Sequence, residues 1–219
     1  MNKIAVLLKQ ILSEKELPTN YVRFYVVGLL LFAIPYTRPL FIHMIAISIV
    51  LVVAAALYHH QKWTKTTIYL FSFIAFSSFF LEVAGTSTGK IFGAYQYDTG
   101  LGIKVLETPI IIGFNWVFLV YASQAIVSRI TNRPLFKIIG GALLMVVYDV
   151  ILEFAAPFMQ MWHFESFYPP INNFIVWFLV AAFYHSCMVI CKISVDNKPI
   201  CSLFWIQSLF FALITAIVL

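Results

Sequence analysis

Hydrophobic residues run along this chain in long stretches that are separated by short polar segments. The stretches, bounded by charged residues, Pro or Gly, lie near 21–36, 40–57, 67–84, 108–127, 135–158, 171–191 and 200–219. A helix needs about 20 mostly apolar residues to cross a bilayer. The pattern therefore predicts an all-α polytopic membrane protein, a bundle of about seven transmembrane helices, of which the first is the shortest.

No internal repeat, low-complexity tract or flexible linker interrupts this pattern, so residues 1–219 are predicted to form a single membrane-embedded domain. Residues 1–20 precede the first span as an N-terminal segment at the membrane surface. Within that segment, residues 3–12 carry apolar side chains at helical spacing between lysines, which predicts a short amphipathic helix.

The composition excludes a soluble enzyme. Of the 219 residues, 62% are hydrophobic and only 11% are charged, whereas an ordinary soluble domain is about half apolar and about a quarter charged. Any chemistry must therefore lie within the bundle or at its rim. The formal charge of +5 comes from Lys and Arg at helix ends, so nucleic-acid binding is not indicated. The three cysteines lie in or beside apolar segments and cannot all be paired, so a disulfide framework is not expected.

The distribution of Lys and Arg predicts the orientation. If the N-terminus is cytoplasmic, ten of these residues lie on the inner side and three, Arg38, Lys90 and Lys104, lie on the outer side, while Arg23 falls just inside the first span on the inner side. The positive-inside rule then places the N-terminus in the cytoplasm and, with seven spans, the C-terminus outside. We expect an integral protein of the bacterial inner membrane.

Acidic residues gather in the outer half of the predicted bundle. Glu82 ends the third span, and the fifth span carries Asp149 and Glu153 at a spacing that puts both carboxyl groups on one helix face. An ionisable residue within a span is costly and normally faces the bundle interior, where it marks a functional site. Two carboxyl groups in a poorly hydrated pocket share a proton, and the pair can supply a proton donor beside a general base. These three residues are the candidate catalytic groups.

Amide and aromatic side chains are predicted in the same layer and are the candidate substrate-binding residues: Tyr95, Tyr97, Asn115, Trp116, Trp162, Asn172, Asn173 and Trp177. The amides could hold a water molecule, and the aromatic faces could stabilise a cation. No metal is assigned, because His43 and His185 lie on different helices, and Cys187 and Cys191 lack two further ligands.

The joint pattern of these residues resembles a known family. It comprises Glu82, Gly85-Thr86, Thr88-Gly89, Phe92-Gly93-x-Tyr95-x-Tyr97, Leu101-Gly102, Pro109, Trp116, Asp149, Glu153, Pro157, Trp162, Pro170-x-Asn172-Asn173-Phe174 and Trp177. In order and spacing, over roughly residues 75 to 180, it is similar to the carotenoid biosynthesis proteins of the bisanhydrobacterioruberin and γ-carotene 1,2-hydratase type. The resemblance implies a multi-span protein that adds water across the terminal double bond of an acyclic carotenoid end group within the bilayer.

Chemistry assigns the roles of the residues. Proton transfer to the alkene leaves a tertiary cation that water captures, so no cofactor is expected. Asp149 is the candidate acid. Glu153 or Glu82 would accept the proton that the attacking water loses, and the asparagines would hold that water by hydrogen bonds. The expected partners are the carotenoid and the surrounding lipid, with no prediction of oligomeric state.

Three other functions stay open at the level of sequence. A membrane carotenoid cyclase would form the same cation but exclude water. An intramembrane prenyltransferase would need several carboxylates and basic residues around a diphosphate, and the outer side supplies few. A transporter would show broken helices near the midplane, for which Gly140-Gly141 is the one hint. A retinal protein is excluded by the absence of Lys from residues 200–219.

Overall fold

The computed structural model describes residues 9–166 and 168–219. Within these residues, seven helices of seventeen or more residues follow one another: α1 (Leu17–Ala33), α2 (Arg38–Leu57), α3 (Lys65–Thr88), α4 (Ile111–Ser128), α5 (Pro134–Ala155), α6 (Ile171–Ile190) and α7 (Lys198–Val218). Four short strands lie between them: β1 (Tyr95–Tyr97), β2 (Lys104–Val105), β3 (Thr108–Pro109) and β4 (Trp162–Phe164). The prediction of a polytopic membrane helical bundle is confirmed.

Six of these helices, α2 to α7, are long and apolar enough to cross a membrane. The first predicted span differs from expectation: α1 occupies Leu17–Ala33, earlier than 21–36, and has 17 residues. At 1.5 Å per residue it covers about 25 Å, less than the roughly 30 Å hydrocarbon core. It nevertheless lies along α2, since the Tyr21 hydroxyl donates to Val52 O at 3.1 Å and the rings of Phe32 and Phe41 are in edge contact.

The N-terminal segment is described only from residue 9. The amphipathic helix predicted for residues 3–12 therefore lies mostly outside the described residues. From residue 9 onward the chain is anchored to the bundle, because Asn20 Nδ2 donates to Ile11 O at 2.9 Å and His59 Nε2 lies 2.6 Å from Leu12 O.

The fourth helix, α4, is the centre of the bundle. Fifteen of its eighteen residues are buried, while the other helices bury one face and turn the other outward, as helices that face lipid do. The packing against α3 is tightest at Gly113, where an added Cβ would lie 2.4 Å from Ala75 O. Such close backbone approach at small residues is common between membrane helices, because the hydrophobic effect does not drive their association.

The longest connections, 89–110 and 156–170, lie at the same end of the bundle, called here the long-loop end. They are joined there by β1 and β4, which pair antiparallel with Gln96 opposite His163. A second pair, β2 with β3, forms a hairpin before α4. Gly85 to Thr88 lie beyond the predicted span 67–84 but continue α3, and Gly89 ends the helix with the left-handed φ of 62° that favours glycine.

Candidate active site

A carboxyl pair on α5 forms the base of the site. Asp149 and Glu153 lie one turn apart, and Asn173 of α6 bridges them: its Nδ2 lies 3.0 Å from Asp149 Oδ2 and 3.5 Å from Glu153 Oε1. The Asp149 side chain is fully buried, and its Oδ1 has no hydrogen-bond partner among the described residues. Few buried carboxyl oxygens are left without a partner, and Asp149 is one of the residues that line the cavity described below.

The third acid, Glu82, approaches from α3 and is surrounded by donors. The hydroxyls of Tyr95 and Tyr97 donate to its Oε2 at 2.6 and 2.9 Å, and Trp116 Nε1 lies 3.2 Å from its Oε1. Three donors from two other elements thus converge on one buried carboxyl group. Glu82 fixes the positions of both tyrosines and of the indole.

The β1–β4 ribbon covers the site at the long-loop end. Side chains alternate along a strand, so Tyr95 and Tyr97 of β1 face inward with Trp162 and Phe164 of β4, while Gln96 and His163 are exposed. The Trp162 indole donates to Glu153 Oε2 at 2.9 Å. The ribbon therefore brings four aromatic rings and three hydrogen-bond donors to the acids.

Both tyrosines remain donors throughout the ordinary pH range. Burial raises the pKa of Tyr95 and of Tyr97 well above the usual value for a phenol, and the neighbouring Glu82 carboxyl raises it further. Their hydroxyl protons are therefore directed to Glu82 and are not lost to solvent.

These elements enclose a cavity of about 30 Å³, called here the acid cavity, which has room for one or two water molecules. One wall is the stacked pair Trp116 and Trp177, with ring centroids 4.4 Å apart. Phe92 closes the top; its ring lies against Gly85, where an added Cβ would come within 2.6 Å. The cavity combines acidic groups with aromatic faces in a small space.

Ten of the eleven predicted site residues line this cavity: Glu82, Tyr95, Tyr97, Asn115, Trp116, Asp149, Glu153, Trp162, Asn173 and Trp177. The exception is Asn172, which is exposed and donates to Ile91 O at 2.6 Å. It holds the 89–110 connection and does not face the acids, because adjacent residues of a helix point about 100° apart.

The sequence reasoning missed four apolar lining residues, Phe92, Ile112, Leu152 and Phe164. Phe164 could have been found, since it lies two positions after Trp162 in an alternating segment. Elsewhere, His185 bridges α6 to α4: its Nδ1 lies 2.7 Å from Gln124 Oε1 and its Nε2 lies 3.1 Å from Ser123 Oγ. No cluster of three His, Cys, Asp or Glu side chains suited to a metal occurs in residues 9–166 and 168–219.

The fold and the site define an integral membrane protein. Its acidic site is buried inside an apolar helical bundle, which suits a lipid-soluble substrate. The carotenoid biosynthesis protein family matches the chain over residues 25–219. The chain belongs to this family and functions in carotenoid biosynthesis. No curated protein and no solved structure matches it.

Proposed function

We propose that the protein is a carotenoid 1,2-hydratase, which adds water to the terminal double bond of an acyclic carotenoid end group. The observation that supports this most strongly is the unpartnered Oδ1 of buried Asp149, in a cavity that has aromatic walls and room for water. A carboxylic acid in such a place is a proton donor to the alkene, since no other group competes for its proton.

The reaction balances as the addition of one water. The Asp149 carboxyl group gives its proton to the less substituted alkene carbon, and the π electrons form the new C–H bond, which leaves a tertiary cation. A water oxygen then bonds to the cation and loses a proton to the Glu153 carboxylate. Proton return from Glu153 to Asp149, one helical turn away, resets the site. No oxidation state changes, so the chemistry requires no redox partner.

The cation is stabilised by the faces of the surrounding rings. The Trp116 and Trp177 stack and the Trp162 indole lie in the same cavity as the acids. A cation over an indole face gains about 2 kcal/mol or more when water is excluded. The small volume of the cavity restricts capture of the cation to the one or two water molecules that it holds.

Water reaches the site from the long-loop end. A polar pocket of about 400 Å³ lies there, lined by groups that include Thr86, Gln96 and Lys104, and it shares the Tyr95 and Tyr97 side chains with the acid cavity. Movement of either tyrosine would connect the two spaces. Glu82 accepts from both hydroxyls and from the Trp116 indole, and we assign it the positioning of this boundary in place of proton transfer.

Expression in a host that accumulates lycopene tests the function. We expect new pigments whose mass exceeds that of lycopene by one water per reacted end, and we expect them to be absent when Asp149→Asn is expressed at the same level. A new pigment of unchanged mass and altered retention would identify a cyclase. The absence of any new pigment, with the protein present in the membrane, would contradict both.

A further inference from the structure

The acid cavity is small, and this raises the question of where the rest of a long polyene lies. Asp149 is fully buried and Glu82 is 4% exposed, and 30 Å³ cannot hold a chain of many carbon atoms. The rest of a bound carotenoid must therefore leave the site between helices. Two apolar cavities open toward the membrane and are candidates for that path.

The first lies between α1, α2 and α7 and is called here the lateral chamber. Its volume is about 110 Å³. At its mouth Val27 and Met44 are 55% and 42% exposed, whereas at its inner end Gln207 and Phe211 are only 2% and 3% exposed. The chamber thus runs from the membrane-facing surface into the bundle.

A small cavity of about 10 Å³ lies between the lateral chamber and the acid cavity. It shares Ile49, Gln207 and Phe211 with the lateral chamber, and it shares Ile112, Asn115, Leu152 and Trp162 with the acid cavity. The lateral chamber, the small cavity and the acid cavity therefore adjoin one another in this order, and together they are called here the line of cavities. Gln207 and Phe211 lie in the wall between the lateral chamber and the small cavity.

Gln207 supplies an independent indication that this line holds a ligand. Its Oε1 is buried and has no hydrogen-bond partner in the described part of the chain. A buried amide oxygen without a donor costs about 1–3 kcal/mol, and an apolar residue would avoid that cost. Gln207 lines both the lateral chamber and the small cavity, so a hydroxyl that moves between them passes this side chain.

The second cavity, a groove between α3 and α4, is larger at about 480 Å³ but does not lead to the acids. None of its lining residues also lines the acid cavity or the small cavity. Gly113 and Ala75, where α3 and α4 approach closely, form part of its wall. Its size suits a lipid acyl chain, which needs no connection to the acids.

We propose that the polyene of the carotenoid lies in the lateral chamber and passes to the acids through the small cavity, which widens when the Gln207 and Phe211 side chains move, and that Gln207 accepts a hydrogen bond from the tertiary alcohol as the hydrated end leaves the acid cavity. The identity of the ligand rests on the proposed function, while the route rests on the shared lining residues. The α1–α2 face is thus the side from which substrate enters and product leaves.

Induced circular dichroism tests the route without measuring turnover. Lycopene is achiral, so its visible band becomes dichroic only when a chiral site holds it. Ser48 and Ser72 are matched, half-buried serines that line the lateral chamber and the α3–α4 groove, respectively. With purified full-length protein in detergent, we expect Ser48→Phe to weaken lycopene binding about tenfold or more, because an added ring fills the chamber, and Ser72→Phe to bind like the wild type.

If Ser48→Phe does not fold, a second pair of variants replaces the first. Met44→Trp alters the exposed mouth of the lateral chamber, and Phe76→Trp in the α3–α4 groove is its control. No induced signal from the wild-type protein, wild-type affinity in the chamber variants, or loss confined to the groove variants would each overturn the route. If the chamber variants lose binding but the wild-type protein forms no hydrated pigment, the route stands and the proposed reaction fails.

Gln207→Leu tests the hydrogen bond separately. We expect its affinity for 1-hydroxy-1,2-dihydrolycopene, relative to its affinity for lycopene, to fall about fivefold, the equivalent of one neutral hydrogen bond. An unchanged ratio would remove Gln207 from product binding.

Discussion

Replacing Asp149 by Asn is the sharpest test of the proposed chemistry, because it removes the proton and preserves the shape. The side chain is fully buried, and its Oδ2 accepts from Asn173 Nδ2 at 3.0 Å. The Oδ1 of an Asn at this position can accept the same hydrogen bond, while its amide group occupies the place of the unpartnered Asp149 Oδ1. The fold should therefore change little.

The expected magnitudes separate a chemical effect from a structural one. Leaving the new amide group without a partner costs about 1–3 kcal/mol of folding free energy at most, whereas general acid catalysis typically contributes 10²–10⁴-fold to rate. Protonation of an unactivated alkene lies at the upper end of that range. We expect Asp149→Asn to accumulate in the membrane and to lose about 10⁴-fold in hydration rate.

The assay measures initial rates of hydrated pigment in membranes that contain equal amounts of protein. Asp196→Asn is the matched control, since that side chain is 72% exposed and lies in the connection between α6 and α7. If Asp149→Asn hydrates at a near-normal rate while Glu153→Gln or Glu82→Gln is inactive, the glutamate of the inactive variant is the acid. Full activity in all three variants would refute the carboxylate mechanism.

Four further outcomes are expected. Glu82→Gln should lower the thermal unfolding temperature in detergent. Its amide group would face a tyrosine hydroxyl or indole donor that points at a carboxyl oxygen in the wild-type protein, and the loss of that buried hydrogen bond costs about 1–3 kcal/mol of folding free energy. An unchanged temperature would contradict the positioning role. Gly113→Ala should destabilise the bundle more than Gly140→Ala in the same measurement, because its Cβ would lie 2.4 Å from the Ala75 backbone oxygen, whereas the Cβ at Gly140 meets a Val127 methyl at 3.2 Å. Activity should persist after dialysis and chelation, since the proposed steps change no oxidation state and use only carboxyl groups of the protein to move protons; recovery only with Mg²⁺ or reduced flavin would show a different kind of reaction. Reporter fusions should place the 129–133 connection in the cytoplasm and residue 219 outside, and a cytoplasmic residue 219 would reverse the orientation.

The sequence alone determined the class of fold and the pairing of two acids. Apolar length is a local property, so each long stretch produced a helix within a few residues of its predicted bounds, apart from the early start of α1. The spacing of Asp149 and Glu153 is equally local, because 3.6 residues per turn puts positions four apart on one face whatever surrounds the helix.

The tertiary structure decided which polar groups meet. Glu82 is joined by Tyr95, Tyr97 and Trp116, which are 13, 15 and 34 residues away along the chain. The pairing of β1 with β4 brings Trp162 to Glu153. Helix rotation also separated two neighbours, turning Asn173 toward the acids and Asn172 toward Ile91.

The physical reason is the uniformity of the apolar spans. In a chain that is 62% hydrophobic, the lipid-facing and protein-facing sides of a helix carry similar side chains, so composition does not mark the buried face. Rotation and depth follow from close packing between helices, as at Gly113 and Ala75. For the same reason the line of cavities past Gln207 is a property of the assembled bundle, formed where α1, α2 and α7 meet.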